Sequence, residues 1–121
     1  MRLREIDDHT SYQQQLQEDG GPIVLINQFT VPPEEADDFV AAWADDASFM
    51  KQQPGFISAQ LYRGTAGSGA FTNVAVWESA RVLGDAFHAP EFQARIGRYP
   101  ESAVAAPHVF RKVAVPGICL A

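Results

Sequence analysis

The chain has 121 residues, 46% apolar and 20% charged, with a formal net charge of −6 and one cysteine. That size suits one domain with its own core, and the composition carries no disordered bias. The acidic balance argues against a nucleic-acid partner or an anionic membrane surface, and Cys119 by itself excludes an internal disulfide or a cysteine metal cluster. No run is long and apolar enough to span a membrane, and Met1 to Gly21 lacks the apolar core of a signal peptide. The expected compartment is therefore the cytoplasm, in keeping with the low cysteine content.

Residues 1–20 are polar and read as a loosely packed N-terminal arm, in which Thr10 or Ser11 caps a short helix over SYQQQLQE. Only Tyr12 and Leu16 offer apolar contacts. A sharper alternative lays this arm over a partner subunit or a pocket mouth. The remainder, 21–121, reads as one α+β domain.

Ile23 to Val31 is the first predicted strand, with Ile23, Leu25, Asn27, Phe29 and Val31 on one face. Pro32-Pro33 ends it and opens a helix whose stripe runs Ala36, Phe39, Val40, Trp43, Ala47, Met50 before Pro54-Gly55. The stripe assigns Trp43 and Met50 to the core. Phe56 to Thr65 and Phe71 to Glu78 form a hairpin around a Gly-rich turn, and the second of these strands puts Phe71, Asn73, Ala75 and Trp77 on one face. Ser79 caps a helix over Ala80 to Phe87, a further short helix covers Glu91 to Arg98, and Ala106 to Val115 is the last strand.

Strand, helix, strand, strand, helices, strand is the order of a ferredoxin-like split βαβ fold, with a four-stranded antiparallel sheet and helices on one face. Val24, Ile26, Ile57, Leu61, Val74 and Val76 then lie on the opposite face. A bare apolar face of that size calls for a cover, and a second copy of the chain is the simplest one, so a homodimer is expected.

Two strands each carry an asparagine in an otherwise apolar row. An amide there costs a few kcal/mol if unpaired, so Asn27 and Asn73 either satisfy neighbouring backbone or face a ligand. The second reading makes the Phe71 to Glu78 face the floor of a pocket.

Within this frame, IVLINQFTVPPEEADDF, QQPGFISAQLYR, FTNVAVWESA, HAPEFQARI and PHVFRKV resemble the antibiotic biosynthesis monooxygenase family of the dimeric α+β barrel superfamily. Residues 1–20 lie outside the resemblance. It implies oxidation of an aromatic polyketide-type anthrone, hydroquinone or quinol by O₂, in antibiotic biosynthesis, with no metal or flavin cofactor. It also implies catalytic roles for Asn73 and Trp77, a pocket position for Asn27, and a ligand contact for Arg95 or Arg98. A tyrosine that some members carry six residues beyond the tryptophan is Leu83 here.

Such chemistry needs a flat apolar cavity, donors for an oxyanion and a base. Phe29, Phe71, Trp77, Phe87 and Phe92 are candidate walls, Asn27, Asn73 and the Trp77 N–H candidate donors, and His88 the first candidate base. His88 also reads as a helix-terminal histidine near the negative end of the dipole. Two other functions stay open: a non-catalytic dimeric binding or stress-response domain, and haem degradation, although Ile96 stands where the haem ligand of the third helix would be.

Overall fold

The computed structural model describes residues 1–121. Its elements are β1 (Arg2–Leu3), α1 (Tyr12–Gln15), β2 (Ile23–Thr30), α2 (Ala36–Met50), β3 (Phe56–Arg63), β4 (Ala70–Trp77), α3 (Ala80–Phe87), α4 (Pro90–Ile96) and β5 (Val104–Phe110). A single 3₁₀ turn, Pro33–Glu35, leads into α2. The strands lie in the order β1-β5-β2-β4-β3, so the four from β5 to β3 have the expected ferredoxin-like arrangement and are antiparallel.

The sheet nevertheless has five strands and is mixed. The added strand comes from the arm: β1 pairs parallel with β5, through Arg2 N–H to Ala103 O at 2.9 Å and Arg4 N–H to Ala105 O at 2.7 Å. The arm is not loosely packed either. Tyr12 and Leu16 are each only 3% exposed, and α1 is closed by a capping box between Ser11 and Gln14. Gly84 permits this approach, since a Cβ there would stand 3.3 Å from both Cβ and O of Leu16. The Gln15 amide donates to Val109 O at 2.9 Å and accepts from Val109 N–H at 2.8 Å, which completes β5 where β1 ends.

α2, α3 and α4 pack on one sheet face and divide its core in two. One cluster gathers Ile23, Leu25, Ala75 and Trp77 beneath Leu83, Phe87 and Phe92, with Tyr12 and Leu16 at its edge. The other gathers Phe29, Phe71 and Ala105 beneath Phe39, Ala42 and Tyr99. Its rings are tightly packed, with the Phe39 centroid 4.8 Å from Phe29 in an edge-on pair and 4.6 Å from Phe71 in a tilted one. Val40, expected on the inner stripe, is 41% exposed.

A β-bulge between Phe56 and Ser58 corrects the expected sheet faces. It leaves Ile57 outside and shifts the register by one, which carries Leu61 to the helix side opposite Asn73 and sends Tyr62 outward. Val24, Ile26, Val74 and Val76 stay on the open face, only partly covered, beside Ile57 at 52% and Tyr62 at 57% exposure. The last strand ends at Phe110 rather than Val115. No helix is long and apolar enough to cross a membrane.

Candidate active site

The strand registers lay the helix-facing residues out in rows. Ala105, Phe29, Phe71 and Arg63 form one row, then Pro107, Asn27, Asn73 and Leu61, then Val109, Leu25, Ala75 and Ala59, and finally Ile23, Trp77 and Phe56. The first row belongs to one core cluster and the last two to the other. The row holding the two asparagines separates them. Beside it, Ala75 and Ala59 project almost nothing above the sheet, so a hollow remains over the floor.

Its lining includes Leu25, Asn27, Phe29, Asn73, Ala75 and Trp77 from the central strands, with Phe56 and Ala59 from β3. The roof is Trp43, Asp46, Ala47 and Met50 of α2, Leu83 and Phe87 of α3, Phe92 and Ile96 of α4, and Tyr99. Met1, Leu3 and Tyr12 of the arm close one end. The empty space among these atoms is about 690 Å³ counted to its open side, of which about 60 Å³ is wide enough for the centre of a water molecule. It is a narrow slot, and a rigid multi-ring guest enters only if the lining moves apart.

Both the floor and the roof carry polar groups. The Oδ1 atoms of Asn27 and Asn73 are both buried without a hydrogen-bond partner. In the same lining, Asp46 Oδ2 accepts from the Tyr99 hydroxyl at 2.6 Å, while Asp46 Oδ1 is buried and also lacks a partner. Burial pushes the Asp46 carboxyl up to about 6, opposed by the Tyr99 hydrogen bond, helped by the Asp45 charge and opposed again by Arg95. Burial, then the Asp46 charge, raises Tyr99 above the ordinary tyrosine value. Tyr12 is raised as well, first by burial and then by Asp46.

The expected site residues divide into two sets. Asn27, Phe29, Asn73, Trp77, Phe87 and Phe92 meet at the cavity. Phe71, His88 and Arg95 do not line it. Phe71 is consumed by the aromatic core under Phe39. His88 is the exposed C-cap of α3, its Nε2 3.1 Å from Gln13 Oε1. Arg95 lies over the Phe49 ring at 5.0 Å, 3.7 Å from Asp45 Oδ2, on the side of α4 that meets α2.

Trp43 and Met50 pack against the two core clusters as expected and also line the cavity, whereas Asp46 and Tyr99 were not expected at the site at all. A signal for Asp46 existed: it stands three residues after Trp43 and seven after Phe39, on the apolar stripe of α2. No histidine lines the cavity, and no group of three or more His, Cys, Asp or Glu side chains is placed to hold a metal.

The profile of the antibiotic biosynthesis monooxygenase family matches residues 22–97. Among solved structures, the chain resembles SnoaB, a cofactor-independent oxygenase from Streptomyces nogalater, with a TM-score of 0.71 and 23% identity over 81% of this chain and 99% of that one. A monooxygenase of unproven activity from Shewanella loihica PV-4 is 30% identical, with a TM-score of 0.65 over 78% of this chain and 97% of its own. A family member of the same standing from Caulobacter crescentus CB15 gives a TM-score of 0.69 at 21% identity, over 78% of this chain and 92% of that one. Among curated proteins none matches significantly.

Proposed function

The chain belongs to the antibiotic biosynthesis monooxygenase family, and from that footing we propose that it oxidises an anthrone, hydroquinone or quinol of aromatic-polyketide type with O₂, without metal or flavin. The observation that carries this reading is the asparagine row. Two amides stand side by side between two apolar clusters, and neither carbonyl oxygen is used by the fold. Two unpaired buried amide oxygens cost on the order of 1–3 kcal/mol each, an arrangement that makes sense where a guest supplies the missing donors.

The guest this lining suits, once the walls move apart to admit it, has a flat apolar body and oxygen at its edge. Its hydroxyl hydrogens donate to Asn27 and Asn73 Oδ1, and its carbonyl or oxyanion accepts from their N–H₂ groups and from the Trp77 N–H. Such donors favour the anionic form of a phenol or enol. The anion passes one electron to O₂, and the radical pair recombines as a peroxide. For an anthrone the balance is CH₂ plus O₂ giving C=O plus H₂O. The substrate is the reductant, and no other is required. The apolar walls keep bulk water from the intermediate.

The open sheet face bears on the same proposal. Val24, Ile26, Val74 and Val76 lie together there, and we infer that a second copy covers them, giving a homodimer.

Oxygen uptake with a panel of anthrones and reduced naphthoquinones, in chelator and without flavin, is the test. Turnover under those conditions supports the reading. Silence across the whole panel, with the same compounds still binding, favours a non-catalytic binding domain.

A further inference from the structure

We propose that Asp46 is the base that takes the substrate's acidic proton, and that Tyr99 is the positioning residue that holds it over the asparagine row. The proposal rests on the oxygenase reading and supplies the group which that reading lacks. None of the three histidines lines the cavity, whereas Asp46 and Tyr99 share its lining with Asn27 and Asn73.

The geometry fits a base. One carboxylate oxygen, Oδ2, is fixed by the Tyr99 hydroxyl at 2.6 Å. The other, Oδ1, has no partner in the protein and is shut away from solvent. A carboxylate with one oxygen anchored and one free has a single place to receive a proton. Its surroundings keep it a stronger base than an exposed aspartate, because burial raises its proton affinity to about 6 while leaving it ionised at neutral pH.

The ionisable groups around Asp46 are few. Tyr99 donates to it, and Tyr12 of the arm is coupled to its charge. Asp45 on the same helix raises its proton affinity and Arg95 of α4 lowers it. Arg98 holds Asp45 at 2.6 Å and so softens that repulsion. The sheet side contributes the neutral amides Asn27 and Asn73.

In the step itself an O–H or acidic C–H bond of the substrate breaks heterolytically. The proton moves to Asp46 Oδ1, and the electron pair stays on the substrate as phenolate or enolate, held by the amides. O₂, the co-substrate of the oxygenase reading, then takes the electrons. For an anthrone, O₂ bonds to the carbon as a peroxide, which takes the first proton back from Asp46; loss of the remaining C–H proton to Asp46 then forms the C=O bond and breaks the O–O bond, and the hydroxide released takes up that proton as water.

The test is oxygen uptake with dithranol, a dihydroxyanthrone, across roughly pH 5–8, for the wild type, Asp46→Asn and Tyr99→Phe. The affinity of each for anthraquinone is measured alongside by tryptophan quenching. Wild-type turnover is expected to fall below about pH 6. Asp46→Asn should lose about 100-fold or more in kcat, keep its anthraquinone affinity within about threefold, and show no such acid limb in its residual rate. Tyr99→Phe removes a hydrogen bond that favours the ionised carboxylate, so its acid limb should move to higher pH. A loss of less than about tenfold in Asp46→Asn, or an unchanged limb, overturns the assignment and leaves the oxygenase reading standing. A wild type silent with dithranol and the wider panel overturns the oxygenase reading, and the base falls with it.

Discussion

Asn27 and Asn73 are direct partners across the β2–β4 ladder, side by side on the helix-facing surface, each with a buried carbonyl oxygen that nothing in the protein satisfies. A fold optimised for stability would place aliphatic side chains there and merge the two aromatic-rich clusters into one core. Asn73→Ala is therefore expected to alter stability by no more than about 1 kcal/mol, since an orphaned amide goes as well as some packing. Oxygen uptake should fall by about 10²- to 10³-fold. Melting curves and an oxygen electrode check both, and a parallel loss in the two would make the amide structural.

Asp46 makes stability depend on pH in an unusual direction. Its carboxyl lies near 6 in the folded chain against 3.8 for a free aspartate. The folded state thus binds the proton more tightly, and the contribution is fully present below about pH 4 and lost as pH rises through 6. The swing is on the order of 3 kcal/mol at most. Asp46→Asn should raise the melting temperature at pH 8 and flatten its slope between pH 4 and 6. A variant that melts lower than the wild type at pH 8 refutes this account.

Ile26 and Val74 oppose each other on the uncovered sheet face. If a second copy sits there, light scattering should report twice the mass of the 13.2 kDa chain. Val74→Lys should give a monomer, because a lysine ammonium would be desolvated against apolar side chains. A wild type that runs as a monomer at micromolar concentration excludes this interface.

Leu16 follows a four-residue helix yet is almost wholly buried against Gly84. Leu16→Ala should cost about 2–4 kcal/mol, the range for a leucine in a packed core. Chemical denaturation would measure it. A cost below about 0.5 kcal/mol would return the arm to the status of a loose tail.

The central fold was legible because period-two and helical patterns alternate cleanly between Pro32-Pro33, Pro54-Gly55 and Ser79. The asparagine positions were legible too, as breaks in two apolar rows. What escaped depends on three-dimensional detail. The arm has too few apolar residues to announce itself, and its burial rests on a missing Cβ at Gly84 and on the Gln15 amide reaching Val109. The bulge at Phe56/Ser58 leaves no mark in a run of alternating residues, yet it changes the face of Leu61. Asp46 shares the apolar stripe of α2 with Phe39 and Trp43, whereas Asp45 does not, but its pairing with Tyr99 depends on how α2 and the segment after α4 come together. His88 and Arg95 were attractive by residue type, but the helix rotations that seat Phe87, Phe92 and Ile96 on the sheet turn both of them away.

With Gln15 and the two-residue β1 occupying the β5 margin, the long free border of the sheet is the eight-residue β3. Strand exchange or fibrillar association is favoured there. The Phe56/Ser58 bulge stands at the start of that border, so deleting Ile57, its extra residue, would leave Leu61 opposite Asn73 while straightening the border and converting a guarded margin into an adhesive one.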